Sequence, residues 1–248
     1  MTLPGIPSDE VDGVLASGRG DIATLFVSMA RRHPEGRDAD YLRWHTLDHR
    51  PEQHRLAGVR ASLRLVSTPA CRAARFHSDE RFDAIDHVMT YFFTDQGGLT
   101  SFLELSKALG GADRKLSLLP PVQRGVYAVA HKVAAPRIKV GADVLPWWPA
   151  TGVYLLLESG RVAPSTDLVG VDGIGGIWSV AAQDVDERLA SAQAGQSLTY
   201  CFLDDDPVTT AERIKPVLAA RWKPGDVEPL LAAPFHPVVP YQWDRYVP

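Results

Sequence analysis

The sequence predicts an α+β chain in which one βαββαβ unit occurs twice, and three observations carry that expectation. The order strand, connector, strand, strand, helix, strand runs through residues 21–133 and again through 151–247. Only the first copy keeps a long polar helix as its connector. Between the copies, Pro136, Gly141, Pro146 and Pro149 punctuate a stretch without hydrophobic periodicity, which reads as a linker. The expected organisation is therefore residues 1–135 as a first repeat with the histidine-containing helix, 136–150 as linker, and 151–248 as a second, degenerate repeat. Residue identity between the copies is negligible, so the repetition rests on element order.

Each element has a local reason. Asp21 to Ala30 is a short apolar run of β-favouring residues, ended by Arg31-Arg32-His33-Pro34. Asp38 to Leu56 switches to a helical period. At 100° per residue, Trp44, Leu47 and Pro51 gather on one side and His45, Asp48, His49 and Glu52 on the other. The Trp44/Leu47 side is the one expected to pack on the sheet, leaving the histidines toward solvent or the barrel rim. Pro51 disfavours helical geometry at Arg50 and predicts a kink there. Val59 to Ser67 alternates, with Val59, Ala61, Leu63 and Leu65 on one face and Arg60, Ser62 and Arg64 on the other. Residues 68–84 form an Arg-rich, irregular connection. Ile85 to Thr94 is the clearest strand. After the turn Asp95-Gln96-Gly97-Gly98, Leu99, Phe102, Leu105 and Leu109 mark a helix closed by Gly110-Gly111. Val122 to Val133 completes the copy.

In the second half, Thr151 to Glu158, Ile174 to Gln183 and Leu198 to Leu203 read as strands. The connector Arg161 to Gly173 is too short and glycine-rich for a helix like that of the first copy. Asp206-Pro207 is a good helix start, a capping acid followed by proline, and Ala211, Ile214, Val217 and Leu218 supply the buried stripe up to Trp222. Pro237 to Val247 is expected to be the last strand, a Pro-rich edge or exchanged arm.

The apolar fraction of 45% and charged fraction of 23% are those of an ordinary globular protein. A net charge of −4 with mixed signs argues against a nucleic-acid partner, which would want a basic face. No apolar run approaches the ~18 residues of a membrane span, and Met1 to Asp12 lacks the pattern of a secretion signal. Cys71 and Cys201 are far apart and have no CxxC partner, so they read as reduced thiols. The expectation is a cytoplasmic protein.

The order βαββαβ is the ferredoxin-like split unit. Its sheet is covered by helices on one face only, so burying the bare face against a second unit gives an α/β barrel, here within one chain. The segment Arg43-Trp44-His45-Thr46-Leu47-Asp48-His49-Arg50-Pro51-Glu52, followed by Leu56-Ala57-Gly58-Val59-Arg60-Ala61-Ser62, resembles the EthD-like branch of the dimeric α/β-barrel superfamily. Members show an Arg-Trp-aromatic or His stretch, then His-x-Pro-Glu, and a Pro-Gly or Ala-Gly before the second strand. The resemblance implies the barrel and a possible homodimer. It leaves function open, because the superfamily hosts cyclases, isomerases, monooxygenases and haem-handling enzymes. Fusion of two units and loss of the motif helix from the second imply that any site is single.

Two constellations could carry chemistry. His45, Asp48, His49 and Glu52 have the i, i+4 spacing of metal ligands and equally of an acid/base pair oriented by a carboxylate. His49 with Glu52 is the catalytic choice, because the Pro51 kink can turn both toward a pocket mouth; no metal and no cofactor are expected. The second constellation is the presumed barrel lining. Strand alternation puts His87, Met89, Tyr91 and Phe93 on one face, with Tyr127, Val129 and His131 on the next strand and Tyr154 and Trp178 in the second copy. The expected ligand-binding set is His45, His87, Tyr91, His131, Tyr154 and Trp178, around a small hydrophobic or aromatic metabolite that is bound and converted without a cofactor. The alternative is a non-catalytic ligand-binding or assembly protein whose barrel is filled by its own side chains. A third reading, haem or metal handling, rests on His45 and His49 alone. Gly170 to Gly176 lacks the context of a phosphate loop and reads as a flexible turn. Trp147-Trp148 reads as a linker plug, and no Gly-x-Ser-x-Gly elbow supports hydrolysis.

Overall fold

The computed structural model describes residues 3–11, 21–114, 116, 118–160, 165–186 and 189–248. Parts of Met1 to Asp12 and of the Arg161 to Gly173 connector lie outside these residues. The first half contains β1 (Thr24–Ala30), a helical segment made of α1 (Asp38–Trp44), a π-helical turn (His45–His49) and α2 (Arg50–His54), and then β2 (Val59–Val66). The Arg-rich connection folds as α3 (Pro69–Ala73) and the two-residue β3 (His77–Ser78). β4 (His87–Phe93), α4 (Gly98–Gly111) and β5 (Pro121–Ala134) follow. The second half contains β6 (Gly152–Gly160), β7 (Ile174–Ala182), β8 (Gln196–Leu203), α5 (Pro207–Trp222) and β9 (Val227–Pro237). Between β6 and β7 the described residues hold only a 3-10 turn, Thr166–Gly170, where the first half has its long helix.

The strands pair in the order β2-β4-β1-β5-β7-β8-β6-β9, and β9 returns to β2, so the antiparallel ladder closes into a barrel. Leaving aside β3, each half has its strands in the order second, third, first, fourth, which is the ferredoxin-like arrangement. The two seams between the halves differ. β5 meets β7 over seven residue pairs, whereas β2 meets β9 over two, Leu65↔Pro237 and Val66↔His236.

The barrel interior is filled by the inward side of every long strand. Leu25, Val27 and Met29 of β1, Val88 and Phe92 of β4, Leu155 and Leu157 of β6, Trp178 of β7 and Tyr200 and Phe202 of β8 belong to one buried cluster. Each such side chain contributes about 1.5–3 kcal/mol by leaving water. Some polar atoms inside are matched: the Tyr200 and Thr90 hydroxyls lie 2.7 Å apart, and Gln123 Nε2 donates to Tyr127 Oη at 3.2 Å. Gly125 makes room for this filling, since a Cβ there would meet the Tyr127 ring at 2.2 Å.

Three expectations need correction. The last strand is Val227–Pro237, not Pro237 to Val247; the C-terminal residues beyond it are turns. Its prolines disguised it in the sequence. They fit because β9 pairs fully only with β6 while β3 covers just two residues of its other side, and Pro229 sits where the β6–β9 register shifts. The expected barrel lining of β4 faces outward: His87, Met89, Tyr91 and Phe93 do share a face, but Val88, Thr90 and Phe92 point inside. Tyr154 likewise packs outside, with Ile214 and Leu218 of α5. Finally, Gly175 and Gly176 belong to strand β7 and not to a flexible turn. Trp148 lies across Gly175, where a Cβ would meet its ring at 2.5 Å.

Candidate functional site

The long helix of the first half lies on the outer face of the sheet with the opposite side to that expected. Tyr41, Leu42, His45, Thr46, His49 and Gln53 are buried, and Leu47 is 47% exposed. This is an i, i+4 stripe led by Tyr41 and Leu42, whereas Trp44 is half-buried and Pro51 exposed. The π-helical turn falls on the two histidines. Such turns widen the helix locally and are common at functional sites. His49 and Arg50 keep helical geometry, so the segment runs on through Pro51 and does not break at Arg50 as expected.

Between this helix, α4 and the sheet lies a cleft of about 420 Å³. Its floor is the outward side of β1 and β4, with Phe26, Ser28, Met89 and Tyr91. Its walls are Tyr41, Trp44, His45 and His49 on one side and Phe102, Leu103 and Lys107 on the other, with Arg64 and Arg124 from β2 and β5. The aromatic groups form a continuous chain. Trp44 stacks on His49 with centroids 5.1 Å apart, His49 and His45 are 5.6 Å apart, and Tyr91 meets Phe102 edge-on at 4.7 Å. The His45 Nε2 and Tyr91 hydroxyl are 3.5 Å apart, while His45 Nδ1 has no hydrogen-bond partner among the described residues.

Burial first, and then the charge of Arg64 with those of neighbouring His49 and Arg50, holds the His45 imidazole well below its ordinary range. It is therefore neutral at pH 7, and the same burial weakens it as a base until a negative charge beside it offsets Arg64. Burial pushes the Tyr91 phenol upward, so it stays protonated and can donate. Arg64 is 5% exposed, lies over the Tyr41 ring at 5.0 Å, and has no partner for Nε or Nη2 among the described residues. An arrangement of a neutral base, a phenol donor and a buried cation can remove a proton and hold the anion that results.

The expected site residues scatter across this geometry. His45, His49 and Tyr91 line the cleft. His87 lies in the same layer but is engaged: its Nε2 is 2.7 Å from Asp38, and burial drives its pKa down to about 4. His131 is half-buried on β5, Tyr154 is under α5, and Trp178 is inside the barrel, donating from Nε1 to the Ala142 carbonyl at 2.7 Å. Glu52 does not reach the cleft. It binds Arg55 at 2.8 Å and Arg114 at 2.9 Å, and these two arginines hold its carboxyl below the usual range. Arg114 also takes Asp48 at 3.0 Å, so the outer side of the helix is a salt-bridge surface. Sequence reasoning missed Arg64, Tyr41, Trp44 and Phe102 as lining. Arg64 shares the polar face of its strand with Arg60 and Ser62, so nothing in the sequence singles it out.

Among the described residues, no group of three or more His, Cys, Asp or Glu is placed to hold a metal ion. His45 and His49 supply two imidazoles without a third ligand. Either could offer a haem one axial nitrogen, but no second feature of the cleft points to a macrocycle.

No protein-family model matches the chain, and no curated protein matches it. Among solved structures, a candidate chlorite dismutase is similar over 88% of this chain and 95% of its own, at 9% identity and a TM-score of 0.52. An anthrone oxidase-like protein is similar over 90% and 94%, at 11% identity and a TM-score of 0.48. A candidate monooxygenase from Lactobacillus acidophilus is similar over 87% and 92%, at 10% identity and a TM-score of 0.42. At these identities the likeness concerns the fold. Strand order and the likeness to the candidate chlorite dismutase together give the chain a closed barrel of two ferredoxin-like halves in one polypeptide.

Proposed function

We propose that the chain binds a small aromatic or hydrophobic molecule in the cleft between the long helix, α4 and the sheet, and acts on it by proton transfer to His45. The carrying observation is the aromatic-lined cleft of about 420 Å³, in which His45 Nε2 and the Tyr91 hydroxyl come within 3.5 Å of each other. In this reading His45 accepts a proton from an acidic C–H or O–H of the ligand, and Tyr91 donates a hydrogen bond to the oxygen on which charge develops. His49, stacked on Trp44, holds the His45 side of the cleft in place. The site belongs to the first half alone, because the second half has no counterpart of the long helix among its described residues. An EthD-like assignment rests on Arg43 to Glu52 and supports the same location.

Two measurements test this. Calorimetric titration with 2-naphthol should show saturable binding, weakened tenfold or more by Ser28→Phe, which fills the floor. Exchange of the ring hydrogens of 1,3-dihydroxynaphthalene into D₂O, followed by NMR, should be accelerated by the protein and lose that acceleration in His45→Gln. No binding would remove the cleft reading. Binding without accelerated exchange would leave a binding protein, which is the second reading and is favoured by the filled barrel.

A further inference from the structure

The described lining of the cleft holds three cations, Arg64, Lys107 and Arg124, and no carboxylate. Arg50 adds a further half-buried charge, close enough to be felt by both His45 and Tyr91. Lys107 and Arg124 sit at the rim, where water screens them. Arg64 differs. It is nine-tenths buried, and no carboxylate among the described residues pairs with it. The carboxylates of the same helix–sheet layer are committed elsewhere. Asp38 Oδ1 accepts from the His33 backbone N–H and from His87, each at 2.7 Å, and Asp86 pairs with Arg72 and the Arg32 backbone N–H.

The chain contains its own measure of what this guanidinium lacks. Arg221, 9% exposed at its side chain, grips the fully buried Glu158 through Nε at 2.9 Å and Nη2 at 3.1 Å, one nitrogen to each carboxylate oxygen. That is the parallel two-bond geometry in which guanidinium and carboxylate fit best. Arg64 has no hydrogen-bond partner among the described residues on the same two nitrogens, Nε and Nη2. Buried charges are otherwise paired, because an unpaired one costs several times more than a neutral group in the same place.

We infer that the ligand of this cleft is an anion, a small aromatic acid whose carboxylate pairs with Arg64 while its ring lies among Phe26, Trp44, Tyr91 and Phe102. The inference rests on the cleft being a binding site and adds the charge of what it binds. Nε and Nη2 are covered by their surroundings, so pairing requires Arg64 to turn about its side-chain torsions. The contact that opposes this is the cation–π stack on Tyr41, which is weaker than two charge-assisted hydrogen bonds. A carboxylate also places negative charge beside His45. That raises the basicity of the imidazole which Arg64 now depresses.

The probes are 2-naphthoate and its neutral counterpart 2-naphthamide, titrated calorimetrically into the full chain. The acid should bind at least tenfold tighter than the amide. Equal affinities would overturn the anion and leave the cleft standing as a neutral aromatic site, whereas binding of neither would remove the cleft itself. In Arg64→Met the acid should fall to the affinity of the amide; an undiminished preference would overturn the role of Arg64. Arg64→Lys keeps the charge and loses the two-bond geometry, so it should retain only part of the preference. A full preference in that variant would reduce Arg64 to a diffuse positive charge and overturn the pairing. The charge preference of the wild-type chain decides the ligand class whatever the variants do.

Discussion

At the scale of single residues, the site is defined by polar groups placed where water does not reach. Arg64 is the clearest case, because its desolvation is offset by no carboxylate among the described residues. Replacing it with Met should stabilise the chain by about 1–3 kcal/mol, the range for removing a poorly compensated buried charge. Urea denaturation with an unchanged slope would measure this, and a loss of stability would mean that the guanidinium is compensated by groups outside the contacts described. His87 gives a pH dependence of definite sign. Its pKa is about 4 in the folded chain, driven down by burial from an ordinary value of 6.5. The unfolded chain therefore binds the extra proton first as pH falls, and stability is lost between pH 6.5 and about 4. The loss should be on the order of 2–3 kcal/mol by pH 4, and His87→Gln should flatten this part of the profile. None of this was legible in the sequence. A His on a strand and an Arg on its polar face have the same letters whether they meet solvent or the underside of a helix.

At the scale of elements, most of the boundaries could be read and most of the facings could not. The capped start of α5 is written in Asp206-Pro207, and the Asp206 carboxylate accepts from the Thr209 N–H at 2.9 Å. Asp206→Ala should cost about 1 kcal/mol in thermal or chemical unfolding; no change would show that the first turn is held by packing alone. The long helix is the opposite case. Its existence followed from its period, but its buried side depended on what the sheet offered, and the outward face of β4 sets His87 and the Tyr91 hydroxyl among the apolar Met89 and Phe93. The turn over His45–His49 also departs from the 100° step on which the facing was calculated. Glu52 shows the consequence. It was paired with His49 in sequence but lies on the outer salt-bridge surface, so Glu52→Gln should leave naphthol binding unchanged. A tenfold loss of affinity would return Glu52 to the site. β9 was displaced by ten residues because its prolines argue against a strand unless the neighbouring ladder is known.

At the scale of the molecule, element order alone was enough to give the barrel. Two units that each leave a sheet face bare have one economical way to cover both. The order could not say which side of the wall would hold the site, because alternation marks two faces without saying which is inside. The interior of the wall is filled by side chains, and the cleft lies on its outer side, under the helices. We propose that the halves meet at residues 136–150, as their composition suggests. Closure of the ladder within one chain also leaves a second copy little strand edge to use, so any homodimer would form through helices and connecting segments.

The unequal seams have a consequence for motion. Seven residue pairs tie β5 to β7, but only two tie β2 to β9, assisted by the bond from Val238 N–H to the Arg64 carbonyl. Local opening follows the line of fewest bonds. In amide hydrogen exchange, Val238 should lose protection well before the amides that join β7 to β5, and equal protection would show that the barrel yields as one unit. The strand beside the weaker line is β2, which carries Arg64. The wall of the cylinder thus has a preferred place to breathe, and it lies next to the charge on which ligand choice depends.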